Sequence, residues 1–333
     1  MFHVLEEESA DMLWGEAVKW FGPSGISVPQ QGRGGQTCEV LNASLTLTNP
    51  RQRWISSRSP AINPAFALAE VIWIMAGRED SAFVNYFNPK LPQFAGNGQT
   101  YHGAYGYRLR KQLGIDQLER AYAALSSNPE SRQVVLQIWN SRTDLPNNDG
   151  SPQAPDIPCN IVAMLKLRNN RLEWTQVMRS NDFVLGLPHN IVQFSTLQEI
   201  LAGWLHVEVG NYNHYADSLH LYREEISTLP EAAPHNPVLN SDSIAMPKLA
   251  SDRSLKVLEE FCIALSTTSF SARTILETFE AIDLPPPFRN WGAILAADAL
   301  RRRTAFPEMN RVLQSCSNSC LTTMFEFWLN RKG

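Results

Sequence analysis

Apolar residues at Leu13, Trp14, Ala17 and Trp20 recur at helical spacing and predict an amphipathic helix within residues 5–20. The Gly-rich run QQGRGGQT, Gln30 to Thr37, reads as a loop feeding a strand in which Val40, Leu45 and Leu47 alternate with polar positions. Pro60 and Pro64 bracket a turn before an apolar helix, Ala65 to Ala76, which is interrupted by one acid, Glu70. Residues 86–106 carry Pro, Gly and Asn throughout and read as loop; a helix follows over Asp116 to Leu125, then a buried strand over Ser131 to Asn140. The stretch CNIVAMLKLRNNRLEWTQVMRS predicts a hairpin with Asn169-Asn170 at its turn. An apolar helix over Phe194 to Leu205 and a strand over His206 to Tyr212 lead into HYADSLHLYREE. Pro230 to Pro247 is Pro- and Asn-rich, and the residues after Ser254 read as helices with breaks at Pro285 to Pro287 and at Pro307. Strands and helices alternate, and there is no internal repeat.

Composition narrows the partners. The chain has 333 residues, 44% of them hydrophobic, enough to bury one large core or two ordinary ones. With 29 basic against 33 acidic residues the net charge is -4, so the basic stripe of a nucleic-acid binder is missing and small molecules or proteins are the expected partners. The opening MFHVLEEESADMLW has acids where a targeting segment has Lys or Arg, and no apolar run approaches the length of a membrane span, so a cytoplasmic location without membrane contact is expected. Five cysteines are an odd count that argues against a disulfide framework, and Cys316 with Cys320 lacks the further ligands a metal site needs. The GRGG run has neither the spacing nor the strand-to-helix context of a nucleotide phosphate loop.

Three segments carry the chemistry: DIPCN ending at Cys159 and Asn160, RSNDFVLGLPHN from Arg179 to Asn190, and SLHLY ending at Tyr222. Together they resemble the thymidylate synthase family, which shows a nucleophilic Cys after Pro, then Arg-Ser-x-Asp-x-x-Leu-Gly-Leu-Pro-x-Asn, then His-x-Tyr. The resemblance runs from about Arg33 to Tyr222 and takes in Glu70 with Trp73 and Gly77, the GAYG run containing Tyr105, and Ser131-Arg132 before a strand ending Trp139-Asn140. It implies an α/β fold with a large mixed sheet flanked by helices, a catalytic core over residues 1–235, and extra C-terminal helices over 236–333 packed on the same domain. It also implies a homodimer in which Arg132, with Arg142 as a second candidate, reaches the neighbouring site.

The reaction implied is one-carbon transfer from 5,10-methylenetetrahydrofolate to C5 of a pyrimidine nucleoside monophosphate. That carbon is not nucleophilic until a group adds at C6, and a thiolate such as that of Cys159 suits the addition. Arg33, Arg132, Arg179 and Ser180 form a phosphate cradle by resemblance, since guanidinium forks match phosphate oxygens. Asn190 reads the base through its amide, favouring uracil over cytosine, and His220 with Tyr222 takes the sugar hydroxyl. Glu70, a lone charge on an apolar helix, suits general acid/base work beside Tyr105, and Asp182 matches a folate contact.

Departures cluster on the folate side. The segment Val84 to Gly103 has no Trp, Asn160 stands where the family has His, His189 replaces an aromatic beside Asn190, and Gln133 replaces a second Arg. The chain runs on to FEFWLNRKG where the family has a short apolar tail that seals the folate pocket. A pocket that admits water releases a hydroxymethyl product, whereas hydride from the folate gives methyl. Hydroxymethylation of uridylate or cytidylate is the expectation, with methylation of deoxyuridylate as the alternative. A non-catalytic nucleotide-binding relative and a Cys-His hydrolase using Cys159 with His214 or His220 are the remaining readings.

Overall fold

A computed structural model describes residues 1–32, 34–229, 238–267 and 270–330. In chain order its elements are β1 (His3–Glu7), α1 (Ala10–Val18), β2 (Val28–Gly32), β3 (Gly35–Leu47), α2 (Pro64–Met75), α3 (Ser81–Phe87), α4 (Pro92–Ala95), α5 (Tyr105–Arg110), α6 (Gln117–Ser127), β4 (Val135–Gln137) and α7 (Ser141–Asp144). They continue with β5 (Asn160–Arg168), β6 (Arg171–Met178), β7 (Asn181–Asp182), α8 (Leu187–Leu205), β8 (Glu208–Tyr222), α9 (Lys248–Leu265), α10 (Ala272–Ala281), α11 (Pro286–Arg302), α12 (Phe306–Gln314) and α13 (Ser319–Leu329).

Among the described residues the strands form one mixed sheet in the order β1-β3-β8-β6-β5-β4, with β2 added to β3 and β7 to β8. β3 and β8 pair antiparallel from Thr37↔Tyr222 to Leu47↔Tyr212, whereas β6 and β8 run parallel. The β5–β6 hairpin turns at Asn169 and Asn170, whose φ values of 51° and 58° are those of a two-residue hairpin turn. Asparagine tolerates that left-handed backbone, so the dipeptide sets the register of the strand that starts beside Cys159.

Two helices make the centre of the core. α2 starts after Asn63, whose side chain accepts from the Ala65 N–H, and it buries every residue except Glu70. α8 buries every residue except His189 and Leu205, and ends where His206 takes a left-handed conformation and returns its N–H to the last carbonyls. α9, α11 and α13 pack on α2, and α9 also on α8, so the C-terminal helices share their apolar face with the centre of the molecule. A polar cluster joins them to it: Asp242 accepts from Asn290 at 3.0 Å and from Asn318 at 2.7 Å. No helix among the described residues is long and apolar enough to cross a membrane.

Several sequence expectations change. Residues 5–20 are not one helix, because His3–Glu7 forms β1 and pairs in parallel with Ala43 to Leu47, and the helix begins only after the Ser9 cap. Two glutamates in that strand favour helix locally; pairing overrides them. Gln30 to Thr37 is a hairpin, not a loop, with β2 antiparallel to β3. The strand expected over Ser131 to Asn140 shrinks to Val135–Gln137, and the expected loop over 86–106 holds α4 and the ends of α3 and α5. α8 begins seven residues earlier than its apolar run suggests, at Leu187, and β8 extends through His220 to Tyr222.

Candidate active site

Cys159 sits in the last position before β5, half-buried and unbridged. Arg179, one residue beyond β6, returns to it: the Arg179 N–H donates to the Cys159 carbonyl at 2.9 Å, and Nη2 lies 3.9 Å from Sγ. The same guanidinium donates to the Pro158 and Ile157 carbonyls and stacks over Trp139, with its carbon 5.6 Å from the ring centroid. Arg179 therefore both shapes the loop that presents the sulfur and places a positive charge beside it, which favours thiolate over thiol.

Glycine contacts bring α5 onto this loop. A side chain on Gly106 would come within 2.4 Å of the Ile74 carbonyl oxygen, so α5 lies directly on α2. The Gly103 N–H donates to Asp156 at 2.8 Å, and a side chain there would meet that carboxylate. Arg108, fully buried, holds the other side of α5 through a two-pronged pair with Asp144 at 2.7 and 2.9 Å. Burial is the largest influence and opposes the Asp144 charge, but the Arg108 bond, the Asn140 N–H, His102 and the Arg108 charge together outweigh it and keep that carboxyl below its usual range.

The result is a cluster around Tyr105. Burial first, then the negative charges of Cys159 and Asp156, raise the Tyr105 phenol well above its ordinary value; the nearby Asn160 amide works against the rise, and Glu70 adds a smaller push. The phenol thus stays a neutral proton carrier beside sulfur and carboxylate. Glu70 Oε2 and His189 Nδ1 are 3.4 Å apart, both are buried atoms without a hydrogen-bond partner, and each side chain keeps 17% of its surface open. The only open residue of α2 thus meets one of the two open residues of α8. Phe66, one turn before Glu70, packs its ring on His189 with centroids 5.0 Å apart.

The other expected residues fall into three groups. Ser180 Oγ is 3.3 Å from His220 Nδ1, and the rings of His220 and Tyr222 are 5.9 Å apart, so these three stand together at the end of β8. Gly34 lies against the Tyr222 hydroxyl, where a side chain would come within 2.7 Å, so the β2–β3 hairpin meets that end; Arg33 itself lies outside the described residues. Asn190 is buried at the start of α8, its amide 3.0 Å from that of Asn181 and 3.1 Å from Gln193. Asp182 accepts from the Val184 and Leu185 N–H groups at 2.8 and 2.6 Å, closing the loop before α8, and it lies close enough to Glu225 to help burial push that carboxyl up to about 7. Arg132 is exposed before β4 and makes no ion pair among the described residues; the geometry does not bring it into this chain's own cluster.

His214 contacts Tyr212 and Asn181, and the ring partners of His220 are Ser180 and Tyr222, so neither histidine forms the Cys-His pair of a hydrolase. No group of three or more His, Cys, Asp or Glu among the described residues is arranged to hold a metal ion.

A sequence model of the thymidylate synthase family matches residues 34–264. The chain belongs to that family. The match passes the end of β8 and takes in nearly all of α9. Among curated members, the chain is 37% identical over 204 residues to the deoxyuridylate hydroxymethyltransferase of Bacillus phage SP01, covering 58% of this chain and 52% of that one. It is 34% identical over 186 residues to the deoxyuridylate hydroxymethyltransferase of Pseudomonas phage M6, covering 55% and 52%. It is 29% identical over 157 residues to the thymidylate synthase of Mycoplasma mobile, covering 47% and 50%. The chain thus spans about half the length of these relatives.

Sequence reading missed the Glu70–His189 encounter and the polar chain behind Asn190. The signal for the second was present: Tyr212 and His214, two apart on a strand, face the same way, and both are buried.

Proposed function

We propose that the protein transfers a one-carbon unit from 5,10-methylenetetrahydrofolate to C5 of a pyrimidine nucleoside monophosphate, deoxyuridylate foremost, and releases the hydroxymethyl nucleotide. The observation that carries the reading is the Arg179 guanidinium 3.9 Å from the Cys159 sulfur, beside Tyr105, Glu70 and Asn160. Cys159 adds to C6, which makes C5 nucleophilic toward the folate's one-carbon unit. Removal of the C5 proton then expels tetrahydrofolate by breaking its bond to the transferred carbon and leaves an exocyclic methylene on the nucleotide, still joined to sulfur. Water adds to that methylene, the electrons return through the ring, and the C6–S bond breaks to free the thiolate; the proton from water passes to the Glu70 side of the pocket.

Two features favour water over hydride at that step. Glu70 Oε2 and His189 Nδ1, 3.4 Å apart, are polar atoms without a hydrogen-bond partner, and a water entering beside them finds two groups to bond to. On the folate side, residues 84–103 contain no tryptophan, and their exposed ring is Phe94, 56% open, a smaller aromatic cover for the reacting carbon. The names of the two phage relatives support the same product. We assign Arg132 to the nucleotide phosphate of a neighbouring copy of the chain, because it stands exposed without an ion pair among the described residues.

Incubating the protein with deoxyuridylate and methylenetetrahydrofolate and weighing the product tests this. Hydroxymethyl adds about 30 mass units and leaves tetrahydrofolate, whereas methyl adds about 14 and consumes the folate's hydride to give dihydrofolate, the two fates of an intermediate open or closed to water. A methylated product with equivalent dihydrofolate would replace this reading with thymidylate synthesis. Loss of no C5 hydrogen at all would leave only nucleotide binding.

A further inference from the structure

Behind Asn190 lies a run of buried polar side chains that the reaction does not use. Tyr212, His214 and Asn181 are each 1% exposed, Gln193 4% and Asn190 6%. Tyr212 Oη is 3.0 Å from His214 Nδ1, His214 Nε2 is 2.8 Å from the Asn181 amide, Asn181 is 3.0 Å from Asn190, and Asn190 is 3.1 Å from Gln193. Each contact is a hydrogen bond, and the chain crosses from β8 through β7 to the first turns of α8.

The direction of the chain is set at one end of Asn181. The backbone N–H groups of Leu187 and Asp182 lie 3.2 and 3.3 Å from one of its amide atoms, and since a backbone N–H can only donate, that atom is the oxygen. The Asn181 NH2 therefore donates to His214 Nε2, and His214 carries its proton on Nδ1, donating to Tyr212. Burial drives the His214 pKa down to about 3, so the ring is neutral and offers one donor and one acceptor, as the chain requires. Facing the same oxygen, Asn190 turns to present its NH2 to Asn181, and the Gln193 amide turns in step so that its NH2 donates to the Asn190 oxygen across the 3.1 Å contact.

We propose that this relay, anchored by the Leu187 and Asp182 backbone, locks the Asn190 amide in one orientation and thereby makes the site discriminate between uracil and cytosine. The inference rests on the nucleotide reading above. Uracil presents a donor at N3 and an acceptor at position 4; cytosine presents the reverse. A free asparagine turns its amide by half a rotation and reads both. A locked one reads a single pattern and leaves the other base with two like groups facing each other, a mismatch that is costly to bury. Asn181 and His214 are thus positioning residues for specificity, without contact to the reacting atoms.

Calorimetric binding of deoxyuridylate and deoxycytidylate to the whole protein tests this. The wild type should favour one nucleotide roughly 10- to 100-fold, the usual size of a two-pronged base contact. Asn181→Leu removes the anchor and should collapse that ratio toward one, mainly by improving the disfavoured nucleotide. Asn181→Asp keeps an acceptor for both backbone N–H groups and for Asn190 and should keep the ratio. Should Asn181→Leu not fold, His214→Phe, which frees the Asn181 NH2, should lower the ratio severalfold. A wild type that binds both nucleotides equally, or an undiminished ratio in the folded anchor-breaking variants, overturns the relay and leaves the nucleotide reading standing. A wild type that binds neither nucleotide overturns the reading and the relay together.

Discussion

Gly106→Ala is the most local perturbation that should reach the chemistry. The added methyl would sit 2.4 Å from the Ile74 carbonyl oxygen and 2.6 Å from the Ile74 Cα, and both are backbone atoms of the buried helix α2. Ordinary contact begins near 3.4 Å, so α5 must withdraw by about 1 Å, the gap between those distances. Overpacking of this kind costs about 1–3 kcal/mol, and alanine's better helix propensity offsets up to roughly 1 kcal/mol of it, so the fold should survive. Catalysis should not survive as well. Tyr105 is the neighbouring residue on α5 and stands beside Cys159 and Glu70, in the constellation proposed to react, and a 1 Å displacement of such a constellation can lower rate about 100-fold. Urea unfolding and release of the C5 hydrogen from deoxyuridylate read the two quantities separately. Gly15→Ala on α1 is the control, because nothing lies within 4 Å of its added methyl; it should gain up to about 1 kcal/mol and keep full rate. If Gly106→Ala matches Gly15→Ala in both measurements, the packing of α5 on α2 does not place Tyr105, and the argument fails.

Two further outcomes follow from the same geometry. If Arg132 serves a neighbouring copy as proposed, a Cys159→Ala protomer and an Arg132→Glu protomer, each inactive alone, should regain part of the wild-type rate on mixing, because one site of a mixed pair carries neither defect; no recovery despite demonstrated subunit exchange would remove Arg132 from the neighbouring site. Acid should weaken the fold through His214: its folded pKa, about 3, lies below the unfolded value near 6.5, so the unfolded chain binds a proton the folded one does not, and stability falls as pH drops through that window. Between pH 6.5 and 4.5 that loss is about 2 kcal/mol by linkage, and urea titrations of His214→Phe should show a flatter acid limb; parallel limbs would mean the ring is not neutral in the fold.

What could be read from the sequence divides along a physical line. Cys159, the Arg179 to Asn190 run and the His220 to Tyr222 pair are signals within one stretch of chain, and the structure sets Arg179 against Cys159 and groups Ser180 with His220 and Tyr222. The Asn169-Asn170 turn was readable for the same reason, since its backbone preference belongs to the two residues themselves. Strand β1 was not, because two glutamates in five residues speak for helix and only the parallel pairing with β3, forty residues away, reverses them. The Glu70–His189 encounter joins positions far apart in sequence, and each looked like a separate oddity: an acid in an apolar helix, and a histidine where the family has an aromatic ring.

The relay behind Asn190 shows why the second kind of information is carried by packing. Its five members come from β8, β7 and the first turns of α8, and although Asn181 and Asn190 share the Arg179 to Asn190 run and Tyr212 and His214 share a strand, nothing in the sequence joins the two pairs. What gives the chain its direction is not a side chain at all but the backbone N–H groups of Leu187 and Asp182, which any residue except proline would supply. A base-reading asparagine is visible in a sequence as a residue type; which way its amide points depends on fixed donors that only the fold brings within 3.3 Å. Discrimination between uracil and cytosine, on this argument, is encoded less in Asn190 than in the neutral histidine and the anchored asparagine that hold it.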